Sequence, residues 1–146
     1  MNKEILYVLE AIKKEGIDFE FRTAPPFPFY RGSYVLVVEI KKDKRIRIGK
    51  LGEFLFKKGL YFYVGSAQGG IKRRIQRYFK KRKTKWHIDY LIRAGEVTGV
   101  FLFKEMSEDV ISNIMRKFMK EYIKGFGSSD KRCFSHLFTS REVSTD

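Results

Sequence analysis

One cysteine, one tryptophan, two histidines and three prolines occur in the 146 residues. The lone Cys133 excludes an intrachain disulfide and leaves a structural zinc site almost without thiolates. No strongly apolar run is longer than Tyr34–Val38, far short of the ~20 residues that cross a bilayer as a helix. The opening MNKEILYVLEAIKKEG carries acids within its apolar part and lacks the regions of a signal peptide, so a soluble, cytoplasmic protein without a membrane partner is expected. Asn and Gln number only four (Asn2, Gln68, Gln76, Asn113) amid abundant Lys, Arg, Ile and Glu, a mix that points to a thermophilic or archaeal source. Acids are scarce as well: 17 Asp and Glu against 31 Lys and Arg give a net charge of +14. Such a balance speaks of a polyanionic partner rather than of fold, with nucleic acid the first candidate.

What is present reads as a helix, a meander, then alternating helix and strand. Ile5, Leu9 and Ile12, with Leu6 and Val8 beside them, put an amphipathic helix over 3–15, which Gly16 stops. TAPPFPFYRG follows, where three prolines forbid regular structure and the aromatic rings strap a loop to the surface. Residues 1–30 form an N-terminal extension in this reading, 31–140 the main domain and 141–146 a polar tail. YVLVVEI (34–40), IRIG (46–49) and LYFYV (60–64) are short β-rich runs that predict an antiparallel meander. A helix starts at Ile71, another in WHIDYLIRAG, a strand covers 97–103, and Ser107 caps a helix running to about Ile123. The expected class is α+β, a small antiparallel sheet of three or more strands flanked by α-helices.

GLYFYVGSAQGGIKRR, 59–74, concentrates the functional signals. Alternation puts Leu60, Phe62 and Val64 on the core face and Tyr61 and Tyr63 on the other, toward solvent or a cleft. Gly65, Ser66 and Ala67 are small enough to let a phosphate approach the backbone, and the missing GxxxxGK[ST] spacing excludes a nucleotide P-loop. On the following helix Ile71, Ile75, Tyr78 and Phe79 form an apolar stripe, with Arg73, Arg77 and Lys80 as a solvated basic face. Arg74 falls about 40° from Tyr78, at the stripe's edge, where a half-covered guanidinium can present a planar fork to a phosphate. Lys72, Arg73, Arg74, Arg77, Lys80, Lys81, Arg82, Lys83 and Lys85 follow one another with no acid between them. That run is either a solvated face or a contact surface for a nucleic-acid backbone, and the neighbouring aromatics favour the second.

On the 107–123 helix, Val110, Ile111, Ile114, Met115, Phe118, Met119 and Tyr122 span an apolar arc. Glu108 stands at its edge, while Asp109 points to solvent with Arg116 and Lys120. Glu108 is then either a metal ligand or an acid that complements the helix dipole. Trp86, His87, Asp89 and Tyr90 form either a substrate-facing cluster or a helix start whose polar groups satisfy local backbone. GFGSSDKRCFSHLF either covers a site or docks its aromatics as a hinged loop, with Cys133 as a small apolar residue.

GSY (32–34), YVG (63–65), an arginine on the next helix and a glutamate on a later one resemble the GIY-YIG nuclease superfamily. GSYVLVVEI, GLYFYVGSAQGGIKRRIQRYF, KWHIDYL and GFGSSDKRCFSHLF, in this order, look in particular like an uncharacterised GIY-YIG-related domain family found alone or fused to endonuclease III-like glycosylases. That likeness covers about 31–139. Twenty-eight residues separate the two tripeptides, so the first tyrosine of the pair is either Tyr34 or Tyr61. The family commonly has histidine at the place of Tyr78 and a second cysteine at that of Lys131.

The resemblance implies a metal-dependent endonuclease that hydrolyses phosphodiester bonds, on DNA rather than RNA, with repair as its setting. In that implied chemistry Tyr34 or Tyr63 orients and deprotonates the attacking water, which requires nearby cations to depress the phenol pKa. Arg74 clamps the phosphate, Glu108 holds one Mg²⁺ or Mn²⁺, and His87 or Asp89 acts on the leaving group. Ser66 and the loop amides position the phosphate. The alternative is a binding module of the same fold that cuts nothing.

Overall fold

The computed structural model describes residues 2–80, 84–128 and 135–140. In chain order the elements are α1 (Lys3–Lys13), β1 (Glu20–Arg22), β2 (Gly32–Ile40), β3 (Lys44–Arg47), β4 (Glu53–Phe56), β5 (Gly59–Ala67), α2 (Ile71–Phe79), α3 (His87–Ala94), β6 (Glu96–Lys104), α4 (Glu108–Arg116), β7 (Met119–Glu121) and β8 (Leu137–Ser140), with a single 3₁₀ turn at Gly49–Leu51. The chain is α+β. Six strands form one sheet in the order β1-β6-β2-β5-β8-β7, antiparallel at every step.

Both faces of this sheet are covered, which explains why β2 reads as a continuous β-branched run rather than an alternating one. On one face Ile5, Val8 and Ile12 of α1 and Ile111, Ile114 and Met115 of α4 pack on Val35, Val37, Phe62, Phe101 and Phe103. On the other, Ile71, Ile75 and Tyr78 of α2 and Ile88 and Leu91 of α3 pack on Tyr34, Leu36, Tyr63, Val100 and Leu102. Each such side chain, once fully buried, stabilises the fold by roughly 1.5–3 kcal/mol. Tyr61 and Tyr63 therefore face a second core layer, not solvent. Helices on both faces, not the strand's own alternation, decide this.

Three elements depart from expectation. The predicted meander is interrupted, because β3 leaves the sheet and pairs with β4 as a separate hairpin, Ile46 opposite Phe54. The 107–123 helix stops at Arg116, and 119–121 turns into the edge strand β7, whose backbone bonds to β8 replace the helical ones. Val110, assigned to the apolar arc, is exposed. Finally, residues of the N-terminal extension join the main sheet, since β1 pairs with β6 and α1 fills one core face.

The register fixes the site. Gly32 lies opposite both Ala67 and Lys104, so the start of β2 and the ends of β5 and β6 share one end of the sheet. Both α2 and α4 begin just beyond that end, one on each face.

Candidate functional site

At that end, on the α2 face, a cavity of about 330 Å³ opens. Ala67, Gly69 and Gly70 of the β5–α2 turn line it, with Arg73, Arg74 and Arg77 of α2 and with Lys85 and Trp86 ahead of α3. Its charged groups are all cationic, and Arg74 is the one set deepest among the aromatic side chains. Its guanidinium lies 4.5 Å from the Trp86 ring centroid and beside the phenols of Tyr34 and Tyr78; burial works against its charge, and the two phenols together outweigh burial and raise its pKa. Tyr34 and Tyr78 also hydrogen-bond to each other. The guanidinium thus lies between an aromatic face and two phenols before any ligand arrives.

Tyr34 reaches this position because its strand partner is Gly65. A Cβ at Gly65 would overlap the Tyr34 phenol at Oη and Cζ. The glycine of YVG is a steric requirement of the tyrosine of GSY. Tyr63 sits beside Tyr34, ring centroids 6.3 Å apart, and is sealed by the segment after α4. Phe126 meets it edge-on at 5.9 Å, and a Cβ at Gly127 would come within 2.7 Å of its ring.

All three phenols are harder to ionise than free tyrosine. Burial is the largest cause at Tyr34, Tyr63 and Tyr78, and Arg74 lowers each only in part. The expected general base needed the opposite shift. Desolvation outweighs the nearby Arg74 cation, so at neutral pH these groups are hydrogen-bond donors rather than phenolates.

The remaining predicted residues fall into separate places. Tyr61 lies farther along β5, its hydroxyl donating to the Lys57 carbonyl at 2.8 Å, and does not line the cavity. His87 accepts the Gly127 amide at Nδ1 (2.9 Å), and burial lowers its pKa. Asp89 takes both arms of Arg77 at 2.7 Å and the amides of Lys85 and Trp86 at 2.8 Å. Arg77 is therefore committed to a paired clamp that orders the cavity wall instead of a solvated face. Arg73 and Lys80 are exposed and flank a second hollow of about 240 Å³. Lys72 sits over the Phe29 ring, Lys85 is exposed, and Ser66 is half-buried opposite Ser33. The first amides of α2 are taken, Ile71 by the Tyr30 carbonyl and Lys72 by that of Pro28, so they are not the phosphate cradle the loop suggested. Lys81, Arg82, Lys83 and Cys133 lie outside the described residues.

Glu108 opens α4 on the sheet's other face. It is not in the cavity wall. Its Oε2 faces Nδ1 of the buried His136 at 3.5 Å, and its charge is felt at Tyr63. Among the described residues no group of three or more His, Cys, Asp or Glu could hold a metal ion. One carboxylate fits a Mg²⁺ or Mn²⁺ that draws most of its shell from water and substrate phosphate, and does not fit an ion caged by protein.

The Asp89 carboxylate carries a direct prediction. Burial pushes its pKa up, but Arg77 and the two amides outweigh burial and hold it below the ordinary value. Its stabilising contribution is present above the unfolded pKa of about 4 and is lost as pH falls through the folded one. Asp89→Asn is expected to cost about 2 kcal/mol at neutral pH, from the broken pair and cap. It is also expected to flatten the acid limb of a denaturation series, which urea melts at stepped pH would read.

The fold and site define a small α+β domain with a basic, arginine-centred cavity at one end of an antiparallel sheet. The family described as domain of unknown function DUF123 matches residues 33–146, and the chain belongs to it. No curated protein and no solved structure matches the chain. Among the described residues no helix is long and apolar enough to cross a membrane.

Proposed function

We propose that the protein is a metal-dependent endonuclease that acts on nucleic acid in the cytoplasm, DNA before RNA, with the scissile phosphate at Arg74. The observation that carries this reading is the guanidinium fixed by Tyr34, Tyr78 and Trp86 in a cationic cavity, an anion site built before its ligand. The GSY and YVG tripeptides, Arg74 and Glu108 add the likeness to GIY-YIG nucleases. Arg74 binds the phosphoryl oxygens and stabilises charge that grows there. Tyr34 and Tyr78 flank the fork and favour its charge. Tyr63, protonated and buried beside Tyr34, supports the phenol cluster behind the arginine rather than acting as the base. Glu108, at the same sheet end but on the opposite face, is the residue that the likeness would make the ligand of a divalent cation, which would supply a bound water of lowered pKa.

A binding module that cuts nothing is the second reading. The raised phenol pKa values favour it, because no described tyrosine of the site is poised as a base. Cleavage of labelled duplex, single-stranded and branched DNA and RNA with Mg²⁺ or Mn²⁺ separates the two. Metal-dependent cutting by the wild type, lost in Arg74→Ala and Glu108→Ala, is the expected result. Salt-sensitive binding with no cut strand in any member would leave the binding module.

A further inference from the structure

We infer that Phe29 is a stacking platform for an unpaired base, so that the nucleic acid taken by the Arg74 cavity is one with single-stranded nucleotides beside the bound phosphate. This rests on the reading above and narrows its substrate. Phe29 is 82% exposed, the most exposed of the large apolar side chains among the described residues. Exposure alone is ordinary; the way this ring is held is not. Phe27, two residues earlier, is buried against Phe79 of α2, centroids 5.3 Å apart. The carbonyls of Pro28 and Tyr30, immediately before and after Phe29, accept the amides of Lys72 and Ile71 at 3.0 and 2.8 Å. The backbone on both sides is thus fastened to the first turn of α2, and the ring between the fastenings points outward. Lys72 Nζ lies over one face of the ring, 4.3 Å from its centroid, which leaves the opposite face to a base and a cation close by for that nucleotide's phosphate.

The position is as informative as the exposure. A Cβ at Gly70, in the cavity wall, would lie 3.9 Å from the Phe29 carbonyl. At 100° per residue Lys72 and Arg74 leave α2 on opposite sides of its first turn. A strand whose phosphate binds Arg74 can therefore cross that turn and lay a base on Phe29 within a few nucleotides. Stacking tolerates any base but needs its face free, which a paired stack does not offer.

The test is fluorescence anisotropy without divalent metal, using a labelled single-stranded DNA, the same strand with abasic sites throughout, and a blunt duplex. Trp86, the only tryptophan, reports occupancy of the cavity independently. Phe29→Ala is expected to weaken single-strand binding about tenfold and to leave the abasic strand and the duplex unchanged. Phe29→Tyr should restore the loss. Equal affinity of Phe29→Ala and wild type for the single strand overturns the inference while the cavity reading stands, provided the Trp86 response persists. Equal losses on all three ligands overturn it too, as a loss of the loop rather than of a stack. No salt-sensitive binding by the wild type overturns the functional reading and this inference with it.

Discussion

Arg74→Ala is expected to weaken nucleic-acid binding by at least about tenfold, the usual worth of a charge-assisted bond to phosphate, and Arg74→Lys is expected to restore little of it. A lysine keeps the charge but not the planar fork, and it cannot lie flat on Trp86 as the guanidinium does beside Tyr34 and Tyr78. Arg73→Ala and Lys80→Ala, at exposed positions of the same helix, should instead reduce affinity modestly and lower the salt slope by about one each. Oligonucleotide titrations at several salt concentrations separate the two patterns. A lysine variant as tight as wild type would mean that the cavity supplies charge alone.

Gly65→Ala should produce a large loss of stability for a single methyl added to the sheet core. The new Cβ would occupy the Tyr34 phenol, which is fully buried and hydrogen-bonded to Tyr78, so neither ring nor strand can yield cheaply. A cost of about 3 kcal/mol follows, or roughly 10 °C in Tm for a chain of this size. Tyr34→Ala is itself destabilising, but the double variant should be about as stable as Tyr34→Ala alone, because the clash no longer exists. That strong non-additivity is the signature of direct contact. Additive losses in thermal melts would show that Gly65 matters for another reason.

Much of the site was legible in the chain, and the limits have physical causes. Helical geometry placed Arg74 at the edge of the apolar stripe of α2, and it is half-buried there. Ser107 was recognisable as a cap, and its hydroxyl accepts the Val110 amide. Period-two alternation misjudged Tyr61 and Tyr63, because alternation distinguishes two faces but not whether the second is covered. Strand β7 was hidden within a helical pattern, since its partner β8 lies some twenty residues on and only tertiary pairing selects the strand. The Arg77–Asp89 clamp joins two helices, so neither helix alone signals it. The phenol pKa direction was out of reach too, for it depends on how deeply the aromatic cluster is sealed by Phe126 and Gly127.

Trp86 emission during titration with a short DNA, at low and then moderate salt, tests the central claim most directly. Trp86 lies against Arg74 and Arg77, the latter guanidinium 4.0 Å from its ring centroid, so a phosphate entering the cavity must alter its surroundings. The account predicts a saturable change that needs more DNA as salt rises and vanishes in Arg74→Ala, whose circular dichroism matches wild type. DNA binding that leaves Trp86 untouched, or alters it equally in the Arg74→Ala protein, would contradict an arginine-centred phosphate site.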